Sequence, residues 1–252
     1  MSDQFYTPAN ENMEIQSETK PPLHLLKSLL NMFVSPKEVF DNLPGNGASF
    51  WLPSSLIGLS IVAFMLFYMN AVLPVDMVGY LFLMEPELEN TVSFEQMLVS
   101  YPFIKISFIV APLFLLLFLY LITAFIFYIS SNIVSYKQHS YLTWMAFNAW
   151  VYLPTILVSL VQILSFINLG GLNHFVALTD IEVMSVNNFF LKYEQGHVLY
   201  AALTTLNPFY IWTIGLSVYG FKVLTNCNWL KTLLVNAVVI VLSLFLISKL
   251  AG

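Results

Sequence analysis

The chain has 252 residues, of which 58% are hydrophobic and only 9% are charged. A soluble domain carries about 25% charged residues, so this composition excludes a soluble globular protein and indicates a membrane protein with several spans. The net charge of −5 is small, and the nine basic residues are all lysines that form no basic patch, which argues against a nucleic-acid partner. The single cysteine, Cys227, excludes an internal disulfide and a cysteine-based metal cluster.

The N-terminal part of the chain is too polar to contain a spanning helix. We predict that residues 1–22 form a disordered tail, because they cannot bury enough apolar surface to offset the entropy of ordering. Residues 23–47 are predicted to be an amphipathic helical segment at the membrane surface, and Ser35, Pro36 and Glu38 predict its second helix, with Ser35 as N-cap and Glu38 reaching back. The apolar positions at helical spacing are Leu26, Leu29, Leu30 and Phe33.

The remaining residues, 48–252, are predicted to form a transmembrane domain of five helices, so the fold class is an all-α polytopic membrane protein. Each predicted span has about 19 to 27 residues, which fits a hydrocarbon core about 30 Å thick with some tilt. Between the first two spans, Ser93 and Gln96 have capping-box spacing, which predicts a short helix. The predicted spans cover about residues 50–73, 103–129, 141–167, 206–224 and 230–250.

The lysines predict the orientation in the membrane. In a five-span layout, six of them share one side and three lie on the other, and the positive-inside rule assigns the larger group to the cytoplasm. The N-terminus is therefore predicted to be cytoplasmic and the C-terminus to be outside. The larger group is Lys20, Lys27, Lys37, Lys137, Lys222 and Lys231, and the smaller is Lys105, Lys192 and Lys249.

The third span is the most polar of the five, and we predict that it lies inside the bundle. Asn148 and Gln162 in this span, and Asn207 at the start of the fourth, either join helices by hydrogen bonds or line a polar cavity for a substrate or a lipid headgroup. Pro154 and Pro208 either kink the bundle or act as hinges. These five residues are the candidate functional positions.

The sequence shows no arrangement of residues that indicates catalysis. The interiors of the predicted spans contain no Asp, Glu or His, and the chain has no Gly-x-Ser-x-Gly motif and no glycine-rich phosphate loop. No two histidines have the i, i+4 spacing of a zinc-binding helix. We therefore predict no catalytic residue, no cofactor and no metal site.

Several short motifs resemble those of Yip1-domain membrane proteins. They are Phe33-Val-Ser-Pro-Lys-Glu-Val-Phe40, Trp51-Leu-Pro53, Tyr152-Leu-Pro154 and the run NPFYIWTIGLSVYG at 207–220. The resemblance implies five spans and a cytoplasmic N-terminus, and it brings no catalytic residues. Eukaryotic members of this family act in vesicle traffic and associate with small GTPases. This chain lacks their Asp-Leu-Tyr-Gly-Pro segment and their long N-terminal domain, so it looks more like the bacterial members.

We therefore predict a non-enzymatic integral membrane protein, located in a bacterial inner membrane. It would act as a scaffold or accessory factor for membrane proteins, lipids or trafficking, and its partners would be the lipid bilayer and other membrane proteins. The alternative is a transport component, either a small permease or the membrane partner of an exporter. The oligomeric state does not follow from the sequence.

Overall fold

The predicted disordered tail, residues 1–22, and residues 44–49 before the first predicted span lie outside the described residues. In the part of the chain that is described, the secondary structure is helical and contains no strand, which confirms the all-α class. The computed structural model describes residues 25–43, 50–135, 137–194, 197 and 199–250.

Several of the described helices begin with a proline in the first turn, as at Pro36, Pro74 and Pro208. A 3₁₀ turn at Leu153–Thr155 separates two of the helices, and Pro154 lies in that turn. The α-helices are α1 (Leu25–Val34), α2 (Pro36–Asp41), α3 (Trp51–Ala71), α4 (Pro74–Met84), α5 (Phe94–Val99), α6 (Tyr101–Val134), α7 (Tyr141–Val151), α8 (Ile156–Asn168), α9 (Leu178–Ile181), α10 (Tyr200–Thr205), α11 (Pro208–Thr225) and α12 (Trp229–Leu250).

Within the described residues, four helical segments are long and apolar enough to cross a membrane. They confirm a polytopic membrane protein. The helix at the predicted fourth span, α11, has 18 residues but is not among the four, since Tyr210, Thr213 and Lys222 dilute its apolar character. The predicted total of five spans therefore stays a prediction. The four segments are Trp51–Ala71, Tyr101–Val134, Tyr141–Asn168 and Trp229–Leu246.

The 34-residue helix α6 is the longest of the described elements, and α3, α5, α7 and α12 pack against it. Helix α3 and helix α7 both contact α6, and α8 continues the direction of α7 along α3. Asn148 of α7 lies beside Tyr120 and Thr123 of α6, whereas Ser159 of α8 lies beside Ser60 of α3. The predicted third span is therefore one path through the bundle, broken by the turn at Pro154.

Among the described residues, the bundle has two hydrophobic cores, one toward each end of α6. The first contains the buried Trp144, Phe147 and Trp150 of α7. The Trp144 ring packs against Phe127 of α6 and Phe221 of α11, and the Phe147 ring packs against Phe127. The second joins α3, α4 and α8 around Phe64, Tyr68, Met77 and Phe166. Aromatic rings of this size bury large apolar areas and form most of each core.

Helices α1 and α2 pack against the bundle through α11. The Phe40 ring is fully buried and lies 5.5 Å from the Phe147 ring, and the Phe33 ring lies 5.3 Å from the Trp212 ring of α11. Gly220 of α11 leaves the space that Phe40 and Phe147 fill, because a Cβ at this position would lie 2.6 Å from Phe147 Cε2. The N-terminal helices are thus part of the first core.

The predicted capping box at Ser35 is wrong, although Pro36 does occupy the first turn of α2. The Ser35 side chain makes no cap hydrogen bond, and its backbone N–H donates to the Asn31 carbonyl at 2.7 Å. Glu38 accepts a hydrogen bond from Asn31 Nδ2 at 2.8 Å and does not reach back to Ser35. The backbone donor that the box would satisfy is already used by α1.

The capping box predicted before α5 is confirmed. The Gln96 N–H donates to Ser93 Oγ at 3.3 Å, and the Ser93 N–H donates to Gln96 Oε1 at 3.0 Å. This pair satisfies two backbone donors at the start of a helix of six residues.

Candidate functional site

Asn148 joins two helices. Its Nδ2 donates to the Tyr120 carbonyl at 3.1 Å and to Thr123 Oγ1 at 2.8 Å, both on α6. The side chain is only 1% exposed and belongs to the buried face of α7. Of the alternatives for this residue, the structure favours hydrogen bonding between helices and does not place it in a cavity.

Pro154 and Pro208 each begin a new helical segment. At Pro154, the broken backbone pattern is closed by the Thr155 N–H and the Thr155 hydroxyl, which both donate to the Tyr152 carbonyl at 2.9 and 2.7 Å. Pro208 follows Asn207, whose Oδ1 accepts from the Tyr210 N–H at 2.9 Å and caps α11. Both prolines therefore determine where a helix starts, and their action as hinges stays a prediction.

Two of the candidate positions, Gln162 and Asn207, line one cavity of about 440 Å³. It lies between α3, α8, α10 and the first turn of α11, next to the helix starts that Pro154 and Pro208 create. Phe64 and Met65 of α3 form part of its apolar wall. Its polar lining includes Thr155, Ser159, Gln162, Glu182, Thr204 and Asn207.

The cavity also contains a carboxylate that the sequence analysis did not assign to it. Glu182 follows α9, in the segment predicted to be an outside loop, yet its side chain reaches Gln162 of α8. Gln162 Nε2 donates to Glu182 Oε1 at 2.5 Å. Burial raises the pKa of the Glu182 carboxyl above its usual range, and the hydrogen bond from Gln162 offsets part of this increase.

The local sequence contains one signal for this placement. Ile181 is buried and packs in the second core, and Leu178 packs against the same core. Both are apolar residues one helical turn apart, so α9 has a face that must point into the bundle. Glu182 is the next residue after Ile181 and is carried inward with it, although hydropathy alone assigns this segment to a loop.

The described residues contain no group of three or more His, Cys, Asp or Glu side chains that could hold a metal ion. His139 is held by the protein itself, because its Nε2 lies 2.9 Å from the Leu224 carbonyl. The cavity thus has one carboxylate, several hydroxyl and amide groups and aromatic walls. This arrangement can bind a small polar group, but it does not resemble a hydrolytic or redox centre.

Comparison with known protein families shows that a family model of the Yip1 domain matches residues 30–250. The chain belongs to the Yip1 domain family. Comparison with curated proteins and with solved structures finds no match. The Yip1 match starts inside α1 and extends to the end of α12, so α2, Gln162, Glu182 and Asn207 all belong to the family region.

Family membership and the apolar helices together identify this Yip1 domain protein as an integral, multi-pass membrane protein. The Yip1 family is a family of non-enzymatic membrane proteins. The match confirms the resemblance found in the short motifs, because Pro36, Trp51, Pro154 and the run at 207–220 all lie within it.

Proposed function

We propose that this Yip1 domain protein is a non-enzymatic accessory protein that acts as a scaffold for another membrane protein. The observation that carries this proposal is the outward face of α1. Leu26, Leu30 and Val34 are 78%, 71% and 82% exposed, whereas Met32 of the same helix is buried. The three residues recur every four positions, so they form one continuous apolar face.

The position of this apolar face is fixed by the rest of the molecule. Met32 of α1 and Val39, Phe40 and Leu43 beyond it are buried in the first core. A helix that only rests on lipid needs no fixed position, because lipid adapts to any apolar surface. A scaffold must present the same pattern of side chains each time, and the anchoring of α1 and α2 against α11 supplies this.

A double variant tests the scaffold proposal. Leu26→Glu with Leu30→Glu places two charges on the exposed face and leaves the buried face unchanged. The size of the complex extracted from native membranes in a mild detergent should fall to that of the chain alone. Val99→Glu, at a residue on α5 that is 81% exposed, is the matched control and should keep the complex. A complex of unchanged size in the double variant would refute the proposal, and differently tagged copies would reveal a homodimer instead.

We place the protein in a bacterial inner membrane with its N-terminus in the cytoplasm and its C-terminus outside. The contact between the ends of α6 and α11 supports the orientation, since Ser135 Oγ donates to the Thr225 carbonyl at 2.7 Å. Lys137, Lys222 and Lys231 therefore lie at one end of the bundle, as the positive-inside rule requires of a cytoplasmic face. Labelling of a cysteine introduced at Lys137 in intact cells tests the orientation, and reaction with an impermeant reagent from outside would contradict it.

The cavity supports a second candidate function, a transport component. Gln162 and Asn207 line the cavity, and Asn148 lies outside it, so we expect water to reach the first two positions and not the third. In a background in which the buried Cys227 is replaced by Ser, cysteines at Gln162 and Asn207 should react with a small water-soluble thiol reagent, and a cysteine at Asn148 should not. Equal protection at all three positions would exclude a water-accessible path.

A further inference from the structure

Among the described residues that line the cavity beside Gln162, the polar side chains are neutral except for one acid, Glu182. The hydroxyls of Thr155, Ser159 and Thr204 and the amide of Asn207 surround the cavity, and Glu182 contributes the carboxylate. Among the described residues, no lysine or histidine lines the cavity. An anionic ligand would therefore meet a negative charge with no compensating cation, so the lining favours a positively charged ligand.

The Glu182 carboxylate is held in place without a protein cation. Gln162 Nε2 donates to it, and the Glu182 main-chain carbonyl accepts from Asn188 Nδ2 at 2.8 Å. Within the described ranges, the ion pair that the structure contains is Lys37 with Asp41, far from this site in the chain. A carboxylate taken out of water is unfavourable unless it is paired, and burial accordingly raises its pKa.

The Thr204 hydroxyl of the same cavity has no hydrogen-bond partner among the described residues. Its Oγ1 is buried and belongs to the cavity lining. Buried hydroxyls are nearly always hydrogen-bonded, because leaving one unpaired costs free energy. An unpaired oxygen and a carboxylate without a protein cation thus line the same space.

The size and walls of the cavity indicate what kind of cation fits. A volume of about 440 Å³ is within the range of small-molecule sites. Phe64, Tyr200 and Tyr210 line it, and aromatic faces attract organic ammonium groups. A calcium ion needs about six to eight oxygen ligands, usually with more than one carboxylate, and this cavity offers one. The lining therefore fits an organic ammonium group better than a metal ion.

We propose that this cavity binds the ammonium group of an amine ligand, with the Glu182 carboxylate as its counter-ion and the Thr204 hydroxyl as an additional hydrogen-bond acceptor. The amine is either a free molecule or the headgroup of an aminolipid, since both carry the same group. The inference does not depend on the α1 surface, and it does not require that the ligand crosses the membrane.

The test uses the full chain reconstituted in nanodiscs. Ethanolamine is titrated into nanodiscs of phosphatidylglycerol alone, and retention of phosphatidylethanolamine is measured by native mass spectrometry from mixed nanodiscs. Glu182→Gln removes the charge and keeps the shape of the side chain. Asp180→Asn is the matched control, because it removes the same charge from an exposed residue two positions away.

We expect the wild-type chain to bind one of the two probes, which identifies the source of the amine. Glu182→Gln should weaken this binding by about tenfold or more, as expected for the loss of a charged hydrogen-bond partner, and Asp180→Asn should not change it. Binding of neither probe, equal binding by Glu182→Gln, or equal loss in Asp180→Asn would overturn the proposal. If Glu182→Gln does not fold, Thr204→Val decides, since unchanged binding by that variant would also overturn it.

Discussion

Replacing Gly220 by alanine tests whether the N-terminal helices are locked against α11. The new Cβ would lie 2.6 Å from Phe147 Cε2 and 2.7 Å from Phe40 Cε2 and Cζ. Both rings are fully buried, and their centroids are 5.5 Å apart, so neither ring has free space into which to move. The added methyl group must therefore displace α2 or distort the core.

The cost is measured most cleanly against Gly215→Ala in the same helix. A Cβ at Gly215 meets no atom within 4 Å, so this control gains the helix preference of alanine over glycine, about 1 kcal/mol, with no clash. Gly220→Ala gains the same preference and also pays for overpacking, which costs about 1–3 kcal/mol. The free energy of unfolding should therefore be lower in Gly220→Ala than in Gly215→Ala by about 1–3 kcal/mol.

Reversible unfolding of both variants in the same detergent gives this difference. Hydrogen exchange supplies the local readout, because a displaced α2 should exchange faster over Pro36–Asp41 in Gly220→Ala alone. Equal stability of the two variants, with equal protection of α2, would refute the reasoning that Phe40 anchors the N-terminal helices. The scaffold proposal would then lose its fixed surface.

Three further changes have defined outcomes. Asn148→Ala removes two buried hydrogen bonds to α6 and should lower the free energy of unfolding by about 1–2 kcal/mol. Asn132→Ala, at an exposed residue, should leave the free energy of unfolding unchanged, and equal unfolding curves for the two variants would contradict the prediction. Because burial raises the pKa of Glu182, the contribution of this group to stability is present at low pH and is lost as pH rises through that pKa. The Tm of the wild type should therefore fall relative to that of Glu182→Gln as pH rises, and a Tm difference that stays constant with pH would contradict this. Ser93→Ala breaks a confirmed capping box and should speed amide exchange in α5; unchanged exchange would contradict its role.

The helices that cross the membrane are predicted well from sequence because lipid imposes one simple requirement. A segment in the hydrocarbon core must be apolar and must satisfy its own backbone, so hydropathy and length locate α3 and α6 closely. The break at Pro154 is also visible, since proline cannot donate the hydrogen bond that continues a helix. The start of α11 is visible for a similar reason, because Asn207 and Pro208 form a helix start.

The contacts between helices are much less predictable, as Ser35 and Glu182 illustrate. Ser35 has the sequence of an N-cap, but its backbone N–H is taken by Asn31, which depends on how α1 ends. The sequence around Glu182 predicts a loop carboxylate, but the burial of the neighbouring Ile181 places Glu182 inside the bundle. Asn148 and Gln162 are both polar amides in the sequence of the same predicted span. The position of α6 buries Asn148 in the core, and the position of α9 leaves Gln162 beside Glu182 in a cavity.

The central claim is that the outward face of α1 is the binding surface of a scaffold, and photocrosslinking in native membranes tests it most directly. A photoreactive amino acid at Leu30 points away from the bundle, whereas the same probe at Met32 points into the first core. The account predicts a discrete adduct of one membrane protein from Leu30, lost in the variant that also carries Leu26→Glu, and only internal adducts from Met32. Adducts to lipid alone from Leu30 would contradict the scaffold proposal.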